Sequence, residues 1–171
     1  MAEPIQDTIK RSLQAAENLY HRLVLLVGES GSGKTRVLRA VANDLGTNVI
    51  NVNLALSAEL LDLRAKQRAL RLPEILAQLT NTAQPPVVLD NLEILFDRGL
   101  RQDPLRLLLN IARNYSVVAS WNGKTAGGKL IYAEPGHPEY RSYDLVDALI
   151  VSMDGTASID LAKHNSEAGP A

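Results

Sequence analysis

The chain has 171 residues, of which 46% are hydrophobic and 22% are charged, and its formal net charge is −1. This composition is typical of a globular domain that can bury a core, and the balance of 18 basic against 19 acidic residues disfavours nucleic-acid binding driven by overall charge. The chain contains no cysteine, which excludes disulfides and thiolate metal sites. No apolar run approaches the roughly 20 residues of a membrane helix, and the start lacks the pattern of a secretory signal. We therefore expect a cytoplasmic protein with no membrane contact.

The first half of the chain alternates patterns typical of helices and of strands. The predicted elements are a helix over residues 1–20, a strand over 22–28, a helix over 34–45, a strand over 48–53, and helices over 58–63 and 73–80. Gly46 is predicted to end the second helix, Ser57 to cap the third, and Pro73 to open the fourth at its first position. The apolar run 22–28 favours a strand that is covered on both faces, as in parallel sheets.

The second half continues the alternation and then becomes irregular. The predicted elements are a strand over 85–90, a helix from Asp103 to about residue 112, a strand over 116–121 and a last strand over 147–153. Residues 122–144 are rich in Gly, Pro and Tyr and are predicted to be mostly loop. We expect one α/β domain over residues 1–154, followed by a polar, disordered tail over 155–171.

The order of these elements predicts the fold. Strands that alternate with helices indicate a doubly wound parallel sheet of about five strands with helices on both faces. The chain stops soon after the last strand, so the prediction includes no C-terminal helical lid domain.

A phosphate-binding motif follows the first predicted strand. Residues 28–35 match the pattern G-x-x-x-x-G-K-[ST] at every required position; they are Gly28, Glu29, Ser30, Gly31, Ser32, Gly33, Lys34 and Thr35. Glycines allow successive backbone N–H groups to point at phosphate oxygens, and the following helix presents its positive end to the same anion. Lys34 is predicted to contact the β and γ phosphates, and the Thr35 hydroxyl to bind Mg²⁺. The fold class that follows is a P-loop NTPase.

The remaining site residues are predicted from their positions after strands. Asp90 ends the strand 85–90, where P-loop proteins place the carboxylate that holds the magnesium shell. Many ATPases place a glutamate directly after this aspartate, whereas the residue here is Asn91. The nearest carboxylate is Glu93. It either orients the attacking water, if the chain turns tightly after Asp90, or lies on the surface. Asn122 is either a γ-phosphate contact or a turn residue. Arg141 either reaches a γ-phosphate, in its own or a neighbouring subunit, or is a surface residue.

A cluster of basic residues indicates a second surface. It contains no acid and consists of Arg64, Lys66, Arg68 and Arg71. Such a cluster is typical of a solvated helix face; the alternative is a docking surface for an acidic protein or a nucleic-acid backbone. No aromatic residue lies within it, so base stacking is not indicated. The tyrosines of residues 132–143 are typical either of interface anchors or of a loop packed on its own sheet.

Several stretches resemble a known family. The P-loop, Val-Val-Leu-Asp-Asn-Leu-Glu (87–93) and Trp-Asn-Gly (121–123) resemble compact ATPases related to the AAA+ group. More narrowly, residues 19–28, 67–73, 89–97 and 132–141 resemble the BrxF family, the small P-loop proteins of type 3 BREX bacteriophage-exclusion systems. The resemblance implies a cytoplasmic ATP-binding protein or weak ATPase, acting as a switch or assembly factor with other BREX components, among them a DNA methyltransferase. DNA contact, direct or through partners, and self-association into a homo-oligomer are further expectations.

The broader resemblance to the AAA+ group assigns roles to individual residues. It implies that Lys34 and Thr35 contact phosphate and Mg²⁺, that Asp90 is the acidic magnesium partner, and that Asn122 senses the γ-phosphate. Asn91 departs from the family pattern, as does the missing lid with its sensing arginine, and both departures disfavour strong intrinsic hydrolysis. Two alternatives stay open, a P-loop small-molecule kinase and an interaction module with a structural, unhydrolysed nucleotide. ATP is favoured over GTP because no N-K-x-D guanine motif is present.

Overall fold

A central sheet with helices on both faces organises the chain, and the computed structural model describes residues 3–144 and 146–160. The helices are α1 (Ile5–Ala16), α2 (Lys34–Asp44), α3 (Val52–Leu60), α4 (Ala65–Asn81) and α5 (Pro104–Ala112), with short 3-10 turns at Glu93–Phe96 and Arg98–Leu100. The strands are β1 (Leu23–Gly28), β2 (Val49–Asn51), β3 (Val87–Asp90), β4 (Val117–Ala126), β5 (Lys129–Tyr132), β6 (Arg141–Tyr143) and β7 (Leu149–Ser152).

The main sheet has the strand order β2-β3-β4-β1-β7, and every neighbouring pair in it is parallel. The predicted five-stranded parallel sheet is therefore confirmed. Successive residues of a strand point to opposite faces, so Leu25 of β1 joins a core with α3, α4 and α5, while Leu26 joins a core with α1 and α2. Both faces of β1 are covered, which explains its continuous apolar sequence.

The start of α3 differs from the prediction. β2 stops at Asn51, whose side chain accepts a hydrogen bond from Leu54 N at 3.1 Å and so caps α3. The helix therefore begins at Val52, six residues before the predicted start at residue 58. An asparagine at this position satisfies a backbone N–H that the helix leaves free, as Ser57 was expected to do.

Pro73 lies inside α4 and not at the start of a helix. A proline in a helix interior removes the hydrogen bond to the carbonyl four residues earlier, here that of Ala69. Gln102 Nε2 donates to this Ala69 oxygen at 2.7 Å and replaces the missing bond. The helix continues through Pro73 because a side chain distant in sequence satisfies the carbonyl.

The prediction of a loop over residues 122–144 is wrong. β4 continues to Ala126, turns through Gly127 and Gly128 with φ angles of 58° and 77°, and pairs with β5, which pairs with β6. Two residues with positive φ are the requirement of a type I′ hairpin turn. The Gly-Gly dipeptide was therefore a local signal for this hairpin.

The segment after β7 packs on the strand that precedes it. Ala157 is buried and bridges to Val151, and Ser158 Oγ accepts a hydrogen bond from Ile150 N at 2.9 Å. The packed chain therefore extends past the predicted boundary at residue 154. The rest of the predicted tail, residues 161–171, lies outside the described residues. Across 3–144 and 146–160, no helix has both the length and the apolar character that crossing a membrane requires.

Candidate functional site

The loop between β1 and α2 depends on glycine at three positions. Gly31 and Gly33 have φ angles of 81° and 98°, in the left-handed region that glycine adopts without strain. A Cβ on Gly28 would lie 2.6 Å from Ser32 Oγ and 2.7 Å from Met153 Cγ. The sequence pattern therefore produces a tight loop at the positive N-terminal end of α2, which is the geometry of a phosphate cradle.

Lys34 places a cation in the middle of this loop. Its side chain is buried, and its Nζ donates to Gly28 O at 2.9 Å and to Glu29 O at 2.6 Å. Burial lowers the pKa of Lys34, and the nearby carboxylates of Asp90, Glu93 and Glu29 oppose that shift. Among the described residues, no carboxylate lies within ion-pair distance of the Lys34 amine, so its donors can turn to an anion in the loop.

Asp90, at the end of β3, accepts hydrogen bonds from two hydroxyl groups, one of them at the start of α2. Thr35 Oγ1 donates to Asp90 Oδ2 at 2.6 Å, and Ser120 Oγ donates to Asp90 Oδ1 at 2.7 Å. A hydroxyl and a carboxylate side by side form a donor set of hard oxygens, which fits Mg²⁺. Sequence reasoning missed Ser120; the available signal was a polar residue inside an apolar strand that neighbours the strand of Asp90.

Glu93 reaches the same site because the chain turns tightly after β3. Asn91 has a φ of 55°, a conformation that asparagine tolerates better than most residues, and the 3-10 turn begins at Glu93. Asn53 Nδ2 donates to Glu93 Oε2 at 2.7 Å, and Asn122 Nδ2 donates to Glu93 Oε1. The chain makes the tight turn that Glu93 requires to reach the site. Its role in orienting the attacking water stays a prediction.

One cavity collects these side chains. It has a volume of about 710 Å³ and is lined by residues 30–35 with Asp90, Asn91, Glu93, Asn122, Arg36, Val37, Arg39 and Met153. β4 places Asn122 opposite Gly28 in register, and Met153 follows β7 on the other side of β1. The loop, the Thr35–Asp90 pair and the Glu93–Asn122 pair therefore face one space at the carboxyl ends of the parallel strands, where α/β sheets bind ligands.

An aromatic cluster fixes the chain segment that carries Glu93. Phe96 stacks on Tyr132 with ring centroids 3.4 Å apart, and Trp121 meets both rings edge-on at 5.2 and 5.9 Å. Tyr143 meets Trp121 at 5.8 Å. Tyr132 and Tyr143 therefore pack on their own sheet. Through Tyr132, the β4–β5 hairpin packs against the 3-10 turn that begins at Glu93.

Arg141 lies apart from this cavity. It belongs to β6, and its Nη2 donates to Gln102 O at 2.7 Å. The structure therefore does not bring Arg141 together with Lys34, Asp90 and Glu93. Its proposed contact with a nucleotide in a neighbouring subunit stays a prediction.

A comparison with protein families identifies the fold. The model of the family described as AAA, ATPase family associated with various cellular activities, matches residues 24–120, which is more than half of the 171-residue chain. The chain belongs to the AAA family of ATPases. The match runs from β1 to Ser120 and so includes the phosphate loop, Asp90 and Glu93, but neither Asn122 nor Arg141. No curated protein and no solved structure matches the chain significantly.

Proposed function

We propose that this AAA-family protein binds ATP with Mg²⁺ and acts as a nucleotide-dependent switch or slow ATPase. The observation that carries the proposal is the hydrogen bond from Thr35 Oγ1 to Asp90 Oδ2 at 2.6 Å, at the mouth of the glycine loop. It unites the two halves of a P-loop site, which lie 55 residues apart in the chain. Membership of an ATPase family supports nucleotide binding independently.

The phosphate loop, Lys34, Thr35 and Asp90 have distinct parts in this proposal. The amides of residues 29–33 and the amine of Lys34 bind the phosphates. Thr35 and Asp90 would hold Mg²⁺, which neutralises charge on the phosphate oxygens when it is bound.

Glu93 is the group that would orient the attacking water. Both of its carboxylate oxygens accept hydrogen bonds, one from Asn53 and one from Asn122. The carboxylate oxygens keep lone pairs for a water, but the two amides fix their orientation, and we propose that Glu93 turns away from one amide to align that water as a base. We therefore expect slow hydrolysis by the isolated protein and faster hydrolysis when a partner, DNA or self-association moves one of the two asparagines.

The cellular role that we propose is in a BREX anti-phage complex. Its support is the similarity of residues 89–97 and 132–141 to the BrxF family. In this role the protein works in the cytoplasm with other BREX components, contacts DNA directly or through them, and self-associates. Pull-down from the native host, with the Lys34→Ala variant in parallel, tests this role. Recovery of no BREX component with the wild-type protein would refute the BREX assignment and leave nucleotide binding intact.

Nucleotide binding is tested with a matched pair of lysine variants. Lys34→Ala removes the cation of the loop, and Lys124→Ala removes an exposed lysine of β4 outside the cavity. We expect Lys34→Ala to weaken binding of a fluorescent ATP analogue by at least about 100-fold, since it deletes a charge-assisted contact in a buried site. Lys124→Ala should bind as the wild type does. Equal affinity of Lys34→Ala and wild type would refute the site.

A further inference from the structure

A second cavity lies between α4 and the chain from the second 3-10 turn to Gln102. It has a volume of about 590 Å³. One wall is formed by Ala65, Lys66, Ala69 and Leu70 of α4, and the other by Gly99, Arg101 and Gln102. Leu70 is 73% exposed although it is a large apolar residue at the rim of this groove. We call this feature the α4 groove.

The α4 groove is bordered by positive charge. Residues 64–71 contain four cations and residues 98–101 contain two, with no acid in either stretch, in a chain whose net charge is −1. Arg68 does not line the groove: its Nε donates to Leu63 O at 2.7 Å and its Nη2 to Leu61 O at 3.2 Å, which holds its charge beside the end of α3. Among the described residues, no carboxylate lies within ion-pair distance of Lys66 or Arg101.

Hydrogen bonds hold the two walls together. Gln102 Nε2 donates to Ala69 O at 2.7 Å and to Leu100 O at 2.8 Å, and the Gln102 carbonyl accepts from Arg141 Nη2. The wall that contains Gln102 is therefore hydrogen-bonded to α4 on one side and to β6 on the other. A groove with fixed walls binds a partner with little loss of its own conformational freedom.

We propose that the α4 groove docks an acidic protein segment that inserts an apolar side chain against Leu70, Ala65 and Ala69. The apolar wall selects the side chain, and Lys66 and Arg101 select its acidic neighbours. Nucleic acid is the less favoured occupant, because the surface of the groove is mainly apolar and none of its lining residues is aromatic, so it offers no side chain for base stacking. The proposal does not depend on nucleotide binding.

Displayed peptide libraries test the proposal on the full chain. Three libraries are compared, one of acidic peptides with leucines, one of acidic peptides with serine in place of leucine, and one of basic peptides with leucines. The variants are Leu70→Ser and the double charge reversal Lys66→Glu with Arg101→Glu. Leu54→Ser and Lys124→Glu are matched controls, since Leu54 is 70% exposed on α3 and Lys124 is exposed on β4.

The expected result is selection from the acidic leucine library only, with affinity lowered about tenfold or more by each α4-groove variant and unchanged by both controls. The double charge reversal should instead select from the basic leucine library. No selection from any library, or binding that Leu70→Ser leaves unchanged, would overturn the proposal. Binding of a DNA oligonucleotide that requires Lys66 and Arg101 but is unchanged by Leu70→Ser would also overturn the proposal, because the surface would then bind phosphate groups through charge alone. Thermal unfolding of each variant verifies that the fold is retained.

Discussion

Replacement of Asn53 by alanine removes one of the two hydrogen bonds that Glu93 accepts, together with the bond that Asn53 accepts from Ile94 N. Asn53 Nδ2 donates to Glu93 Oε2 at 2.7 Å, and Asn53 Oδ1 accepts from Ile94 N at 2.7 Å. A hydrogen bond to a charged group contributes about 2 kcal/mol net and a neutral one about 1 kcal/mol. We therefore expect Asn53→Ala to lower the free energy of unfolding by about 3 kcal/mol in urea denaturation.

Two further variants assign that loss to its sources. Asn53→Asp keeps an acceptor for Ile94 N but places a second carboxylate against Glu93, so it should be at least as destabilising as alanine. In a double-mutant cycle with Glu93→Ala, we expect a coupling of about 2 kcal/mol. Asn51→Ala is the matched control, two residues earlier at the end of β2; it loses only the cap of α3 and should show no coupling to Glu93.

The same variant reports on hydrolysis. If Glu93 has to leave one asparagine to orient water, the cost of breaking that hydrogen bond slows hydrolysis. Asn53→Ala removes this cost, so for a bond of about 2 kcal/mol phosphate release should rise by at most about 30-fold. Glu93→Gln should reduce phosphate release in the Asn53→Ala background. Stability effects of Asn53→Ala and Glu93→Ala that add within about 0.5 kcal/mol would refute the contact. Phosphate release that Glu93→Gln leaves unchanged would refute the role of the carboxylate.

Two predictions concern the hairpin that supports the site. A Cβ on Gly123 would lie 1.8 Å from Ile131 O, so Gly123→Ala should force β4 and β5 apart and lower the free energy of unfolding by at least about 2 kcal/mol. The control Gly99→Ala should be nearly neutral. Equal melting temperatures of the two variants would contradict this prediction. Burial, together with Asp103, raises the pKa of Tyr143 to about 12 from an ordinary value of 10.0. The neutral phenol is the form that the fold favours, so its contribution to stability is complete below pH 10 and is lost as the pH rises through about 12. Urea unfolding at rising pH should show a smaller loss for Tyr143→Phe than for wild type, and identical losses would contradict the assignment.

Local chemistry allowed the phosphate loop and the sheet to be predicted. Residues 28–35 are contiguous, and their glycines, lysine and threonine act through positions that the loop itself defines. Asp90 was predictable because it ends an apolar strand of a parallel sheet, and such ends meet at one edge. The misplaced starts of α3 and α4 had other causes: Asn51 competes with Ser57 as a cap, and the bond from Gln102 that allows Pro73 inside a helix is not visible in the neighbouring sequence.

The sequence by itself determined that this protein has a phosphate cradle followed by a helix, and that its strands alternate with helices around a parallel sheet. These features depend on residue spacing within single segments. Only the tertiary structure decided what surrounds the two carboxylates. The donors to Glu93 come from residues 40 and 29 positions away, and the Ser120 hydroxyl meets Asp90 from 30 positions away. Strand order and packing bring these side chains together, and neither is encoded in the spacing of any one segment.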